Sequence, residues 1–234
     1  MMNIRKKDER GETGSYWLQS WHSFSFGEYY DPHNMGFGPL RVINEDIVRA
    51  GMGFDTHGHA NMEIITCILE GAIEHKDSLG NGGIIRPGDV QLMSAGKGIL
   101  HSEKNPSETD DVHLLQIWIM PNVAGTRPGY QQTSFNPAEF SNALRLVVSP
   151  DGEKGSLVIK QDARLWVAKL EEGKSVSLEM QPERKYWVQM ARGSADVFGR
   201  PLTAGDALGL DNESGKADIK ATADAEFLVF ELPR

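Results

Sequence analysis

The sequence predicts an all-β protein built as two consecutive antiparallel β-barrels. Three observations point that way. Twenty-five glycines and eleven prolines cut the 234 residues into short apolar runs rich in β-branched side chains, the texture of many short strands joined by turns. No stretch carries the 3.6-residue apolar period of a long amphipathic helix. A strand-and-turn pattern in the first half recurs in the second.

In chain order, the expected strands cover residues 40–44, 62–69, 83–85, 90–94, 113–120, 145–148, 166–170, 186–190, 195–197, 217–221 and 226–230, with a single turn of helix at 137–142. The repeat is carried by two passages. Cys67-Ile68-Leu69-Glu70-Gly71-Ala72-Ile73 leads through a turn to Arg86-Pro87-Gly88-Asp89-Val90; Gln189-Met190-Ala191-Arg192-Gly193-Ser194-Ala195 leads through a turn to Thr203-Ala204-Gly205-Asp206-Ala207. Gly71 matches Gly193, and Gly88 matches Gly205, at nearly the same offset, as expected of a duplicated unit with a shorter hairpin in its second copy. Residues 121–142, rich in Pro, Gly, Ser, Asn and Gln, read as a crossover linker. The expected domains are 1–130 and 131–234.

The net charge of −9 argues against nucleic acid, because binding phosphates needs a basic face. Cys67, the only cysteine, reads as a small buried hydrophobe; a disulfide framework is excluded and a reducing compartment fits best. The charged N-terminus lacks the apolar stretch of a signal peptide, and no apolar run reaches the ~18–20 residues of a membrane span. A soluble, cytoplasmic protein with no membrane partner is expected; protein partners are not legible.

All seven histidines lie at or before position 113. His57-Gly58-His59 and His101-Ser102-Glu103 share an i, i+2 spacing, which in a strand directs both side chains to one face. Two such strands can converge on one metal ion. Imidazole with carboxylate suits iron, manganese, nickel, cobalt, copper or zinc better than magnesium or calcium, and four ligands leave open positions of the kind that catalytic metals need. Imidazole ligands must be neutral, so protons should displace the metal below roughly pH 5–6. Glu63, four residues beyond His59, shares its face if the strand is unbroken and could then orient a ligand or take a proton. His75 lies in a polar hairpin and is expected to be exposed. His22 and Trp21 belong to an aromatic-rich opening expected to cover the barrel, His113 could line the cavity or not, and Trp118, Trp166 and Trp187 read as core.

Gly53-Phe54-Asp55-Thr56-His57-Gly58-His59-Ala60-Asn61-Met62-Glu63 and Ser94-Ala95-Gly96-Lys97-Gly98-Ile99-Leu100-His101-Ser102-Glu103 resemble the two cupin motifs in their pirin form. Trp21-His22-Ser23-Phe24-Ser25-Phe26, Leu40-Arg41-Val42-Ile43-Asn44 and His113-Leu114-Leu115-Gln116-Ile117-Trp118-Ile119 are similar to bacterial pirins, so the likeness spans residues 1–120 and, more loosely, the remainder. The resemblance implies a bicupin whose N-terminal barrel binds one divalent transition metal, Fe(II) before Zn, Mn, Ni, Co or Cu, through His57, His59, His101 and Glu103. The general cupin pattern places its carboxylate ligand at the position of Glu63; the pirin form places it at Glu103.

Two function classes follow from the resemblance. Bacterial pirins are similar in activity to quercetin 2,3-dioxygenase, which implies a flavonol substrate ionised at its 3-hydroxyl and opened by O2 with loss of carbon monoxide, Glu103 or Glu63 acting as base. Eukaryotic members are redox-dependent regulatory proteins, so the alternative is a non-enzymatic, metal-dependent protein-binding module. Arg5-Lys6-Lys7 is too short for a nuclear localisation run. The dioxygenase is the leading expectation.

Overall fold

The computed structural model describes residues 2–234, almost entirely as antiparallel strands. Among the described residues no helix is long and apolar enough to cross a membrane; the helical elements are short 3-10 turns, one of them at Pro137–Glu139, where Asn136 caps the turn by accepting from the Ala138 N–H.

The first compact unit comprises Gly11–Phe135 with Ile159–Gln161. Its larger sheet has seven strands in the order Gly129–Ser134, Asp89–Ser94, Glu63–Glu70, Val112–Ile119, Leu40–Val48, Leu18–His22 and Gly11–Gly14. Its smaller sheet runs Gly53–His59, Ile99–Lys104, Ile73–Asp77, Gly82–Ile85. The second unit comprises residues 2–10, Asn136–Val158 and Asp162–Arg234 and repeats the plan. Its seven strands run Met2–Arg5, Ala207–Asp211, Arg184–Arg192, Ala225–Pro233, Arg164–Leu170, Arg145–Ser149 and Leu157–Val158; its four run Ser175–Met180, Gly215–Ala221, Ser194–Val197, Arg200–Thr203.

The chain thus folds as two cupin-type units, but their limits depart from a simple cut at residue 130. That position falls within Gly129–Ser134, which pairs with Asp89–Ser94 as an edge strand of the first unit. The reading of 121–142 as linker throughout is corrected: Gly-Tyr-Gln-Gln-Thr-Ser is half-buried with no apolar alternation, so composition marks it as loop while hydrogen bonding makes it strand. Met2–Arg5 takes the matching edge place in the second unit by pairing with Ala207–Asp211.

The repeated glycines sit at the same structural point in each unit. Gly71 follows Glu63–Glu70 with φ 77°, and Gly193 follows Arg184–Arg192 with φ 66°. A Cβ on Gly71 would lie 2.9 Å from the Asp111 carbonyl oxygen, and one on Gly193 only 1.7 Å from that of Asp224. Both the left-handed backbone and the close approach require glycine.

Gly193→Ala should therefore cost at least ~2 kcal/mol, from the left-handed conformation alone plus a forced backbone shift. That corresponds to a fall in Tm of about 4–8 °C for a chain of this size. An unchanged Tm would show that the turn can be rebuilt without glycine.

Candidate metal centre

Gly53–His59 and Ile99–Lys104 are adjacent strands, and His101 lies directly opposite His57. His57 and His59, two apart, point to the same face. The three rings converge, with centroids 4.8 Å (57–59), 4.4 Å (57–101) and 4.9 Å (59–101) apart, and a nitrogen from each lies within 4.8 Å of the others. His57 Nδ1 is 2.8 Å from the Asp55 carbonyl oxygen; it must donate there, which leaves Nε2 with a lone pair for a cation. His101 Nε2 is buried without a hydrogen-bond partner. An orphaned buried nitrogen is costly unless something outside the chain satisfies it. Glu103, also buried, is held by the Gln116 amide, whose Nε2 donates to Oε1 at 3.2 Å and Oε2 at 3.0 Å. The ligand atoms of Glu103 group with those of His75 and His101, while His57, His59 and His101 form their own triad; imidazole with carboxylate suits a transition-metal ion.

His75 corrects the expectation of an exposed hairpin residue. It is fully buried, on the inward side of Ile73–Asp77 in period-two alternation with Ile73. The Ile73 signal was present in the sequence but masked by the surrounding polar residues. His75 Nε2 lies 3.4 Å from Asp77 Oδ2, Gln91 Nε2 is 3.2 Å from His75 Nδ1, and His101 Nδ1 is 3.4 Å from the same atom. With His75 donating to Asp77 through Nε2, the one lone pair on its Nδ1 is shared between the Gln91 amide at 3.2 Å and His101 Nδ1 at 3.4 Å. Asp77 is anchored in turn by the Leu79 and Asn81 backbone N–H groups. The chain Asp77–His75–His101 therefore engages His101 through Nδ1 and leaves its Nε2 without a protein partner.

Electrostatics keep the rings ready for a cation. Burial, followed by the neighbouring His57, His59 and His75, pushes His101 down to about 3. Burial and His57 push His59 down to about 4. Burial moves Glu103 above the ordinary carboxylate range despite the Gln116 hydrogen bond.

The cluster opens into a cavity of about 250 Å³ walled by Leu18, Phe26, Phe54, Ile64 and Trp118 and carrying Thr13, Ser20, His22, Asn44 and Asp46 as polar groups. Glu63 does not line it. The strand ends at His59, Asn61 takes a left-handed φ of 52°, and Glu63 begins the next strand; the same-face argument fails at that break. Its carboxylate accepts from Ser94 Oγ at 2.8 Å and the Lys160 N–H at 3.2 Å. His113 is also away from the cavity, paired with Glu45 at 2.9 Å. His22 is buried in the cavity wall. Trp118 is a cavity wall, edge-on to His59 at 4.8 Å, whereas Trp187 is core. Asn44, Asp46 and Gln116 escaped the sequence reading; in Leu40–Val48 the alternate residues Val42, Asn44, Asp46 and Val48 are all buried, a polar pair within an inward row.

The second unit shows the same scaffold without this chemistry. Ladder register matches His57, His59, His101 and Glu103 to Leu178, Met180, Ala217 and Ile219, and His75 to Val197. Thr66, Gln91 and Gln116 become Val188, Leu208 and Val229; Asn44 and Asp46 become Trp166 and Ala168. These replacements belong to one apolar cluster.

Residues 3–119 match the Pirin family model, and 146–232 match that of the quercetinase C-terminal cupin domain. The chain is 46% identical over 234 residues to quercetin 2,3-dioxygenase of Escherichia coli strain K12, covering 100% of this chain and 99% of that protein. The crystal structure of Escherichia coli YhhW superposes with a TM-score of 0.95 at 45% identity, covering 100% of this chain and 98% of that one. A second, described as the bacterial pirin YhhW in complex with nickel(II), gives 0.94 at 45% identity over 100% and 99% of the two chains.

Two outcomes are expected. Three ordinary histidines with pKa near 6.5 would weaken metal binding by about a thousandfold at pH 5.5, roughly tenfold each. Because lowered pKa values leave His59 and His101 neutral until the pH falls toward 4 and 3, the loss of nickel(II) affinity between pH 7.5 and 5.5 should fall well short of that, with the steep fall below pH 5; the full thousandfold loss would contradict the electrostatic account. Asp77→Asn should weaken nickel(II) binding by ~10–100-fold through His75 and His101, and an unchanged affinity in isothermal titration would remove that relay.

Proposed function

The chain belongs to the pirin family, and from that premise we propose that it is a metal-dependent dioxygenase of the quercetin 2,3-dioxygenase type, opening flavonols with O2. The observation that carries the proposal is the joining of the histidine cluster to an aromatic-walled cavity in a single pocket. His57, His59, His101 and Glu103 would hold one divalent ion, with Fe(II) the first choice. When bound, that ion supplies Lewis-acid and template chemistry for the reaction with oxygen.

The chain's own residues set the conditions for it. Phe26, Phe54, Ile64 and Trp118 offer a flat aromatic molecule apolar surface and keep bulk water from the reacting ring. Gln116 fixes both oxygens of Glu103, so the carboxylate cannot swing away when substrate enters. Glu63 serves structure, tying its strand to Ser94 and Lys160. The single cysteine, buried in a strand, supports a reducing cytoplasmic setting.

Metal content and flavonol-dependent oxygen uptake, measured on the same preparations, test the proposal. His101→Ala and Glu103→Gln should lose metal and uptake together. Glu63→Gln should keep the metal and a rate within about threefold of wild type, well short of the ~10²–10⁴-fold loss of a general base, while lowering Tm. If the fully Fe(II)-loaded protein takes up no oxygen with any of several flavonols, the dioxygenase reading fails.

A further inference from the structure

Once Glu103 is assigned to the ion and Glu63 lies elsewhere, the cavity contains one other carboxylate, Asp46. It is buried in the wall, 3% exposed. One oxygen, Oδ1, accepts a hydrogen bond from Ser20 Oγ, and among the described residues its side chain has no other hydrogen bond.

The surrounding groups are arranged around that carboxylate. Thr13 Oγ1 lies 2.7 Å from His22 Nε2, and His22 Nδ1 lies 2.7 Å from Asn44 Oδ1 and 3.5 Å from Ser20 Oγ. A proton assignment compatible with these contacts has Thr13 donating to His22, His22 donating to Asn44 and weakly to Ser20, and Ser20 donating to Asp46. Of this row, Ser20 alone reaches Asp46 directly. Thr13, Ser20, His22 and Asn44 all line the same cavity.

A second observation is independent of this network. In the duplicated unit the place of Asp46 is taken by Ala168, in the same ladder position opposite Phe227 as Asp46 is opposite Leu114. The scaffold therefore needs no acid here. Acid and histidine cluster are present together in one unit and absent together from the other.

We propose that Asp46 is the proton acceptor for the substrate hydroxyl in this cavity, with Ser20 as the positioning residue that holds it. This rests on the flavonol reading above. The substrate O–H bond breaks, its electron pair stays on the substrate oxygen, and the proton bonds to the carboxylate oxygen of Asp46 not engaged by Ser20; the reverse transfer returns it to the product. Burial first, opposed by the Ser20 hydrogen bond and reinforced by Glu103 and Glu45, places the Asp46 pKa at about 7, with His113 opposing. That value lets the group take and give back a proton near neutral pH.

The test is a spectral titration of quercetin into the nickel(II)-loaded protein under anaerobic conditions across pH 5.5–9, with metal content checked for each variant. The absorption of the bound flavonol reports its ionisation without turnover. Wild type should bind quercetin in the ionised form at pH 7. Asp46→Asn should retain the metal and bind the neutral form, its ionisation midpoint at least one pH unit higher. Ser20→Ala, which keeps the acid, should move the midpoint downward, since loss of the donor that lowers the Asp46 pKa leaves a stronger proton acceptor; it serves if Asp46→Asn fails to fold. A wild-type midpoint in either folded, metal-loaded variant would overturn the role of Asp46 while leaving the flavonol reading standing. Failure of the wild type to bind quercetin would overturn that reading and this role with it.

Discussion

The structure of the first unit depends on one constraint: a buried polar atom must find a partner. Gln116 donates to Glu103, and His75 lies between Gln91 and Asp77, across the strands that close the interior; each such bond costs less than leaving its members unpaired in a low-dielectric space. Gln91 Oε1 and His101 Nε2 are buried atoms of this region left without a partner. For His101, whose ring packs against those of His57 and His59, a cation is the partner whose chemistry fits.

The duplicated unit separates what the fold requires from what the site requires. Both units share seven-plus-four strand order, left-handed glycines after equivalent strands, and aspartates that open equivalent strands: Asp111 accepts from the Ala50 N–H, Asp224 from the Glu172 N–H. These features make the barrel. Their interiors differ, with Leu178, Met180, Val188, Val197 and Ile219 filling the second by ordinary apolar packing. The first unit gives up that packing, and its polar interior forms part of a cavity.

Most of the fold was legible because strand interiors such as Ile64–Leu69 and Phe227–Phe230 are apolar and their turns carry glycine. Edge strands were not. Gly129–Ser134 and Met2–Arg5 are polar and half-exposed, and they are strands because a neighbour offers free backbone groups. The histidine pairs were legible from their spacing alone, since period two is a property of the strand itself. Glu63 was misplaced because a left-handed Asn61 breaks the period, and His75 because local composition outweighed its alternation with Ile73. Asp46 and Gln116 were hidden for a different reason: strand pairing across many intervening residues brings them to the cavity, and nothing local announces it.

The central claim is that the polar interior of the first unit holds one ion and the apolar interior of the second holds none. Anomalous diffraction from crystals of the nickel(II)-loaded protein, collected on both sides of the metal edge, tests it most directly. One peak per chain is expected, within bonding distance of His101 Nε2 and shared with His57, His59 and Glu103. A peak among His75, His101 and Glu103 instead, or a second peak beside Leu178 and Ile219, would contradict the account.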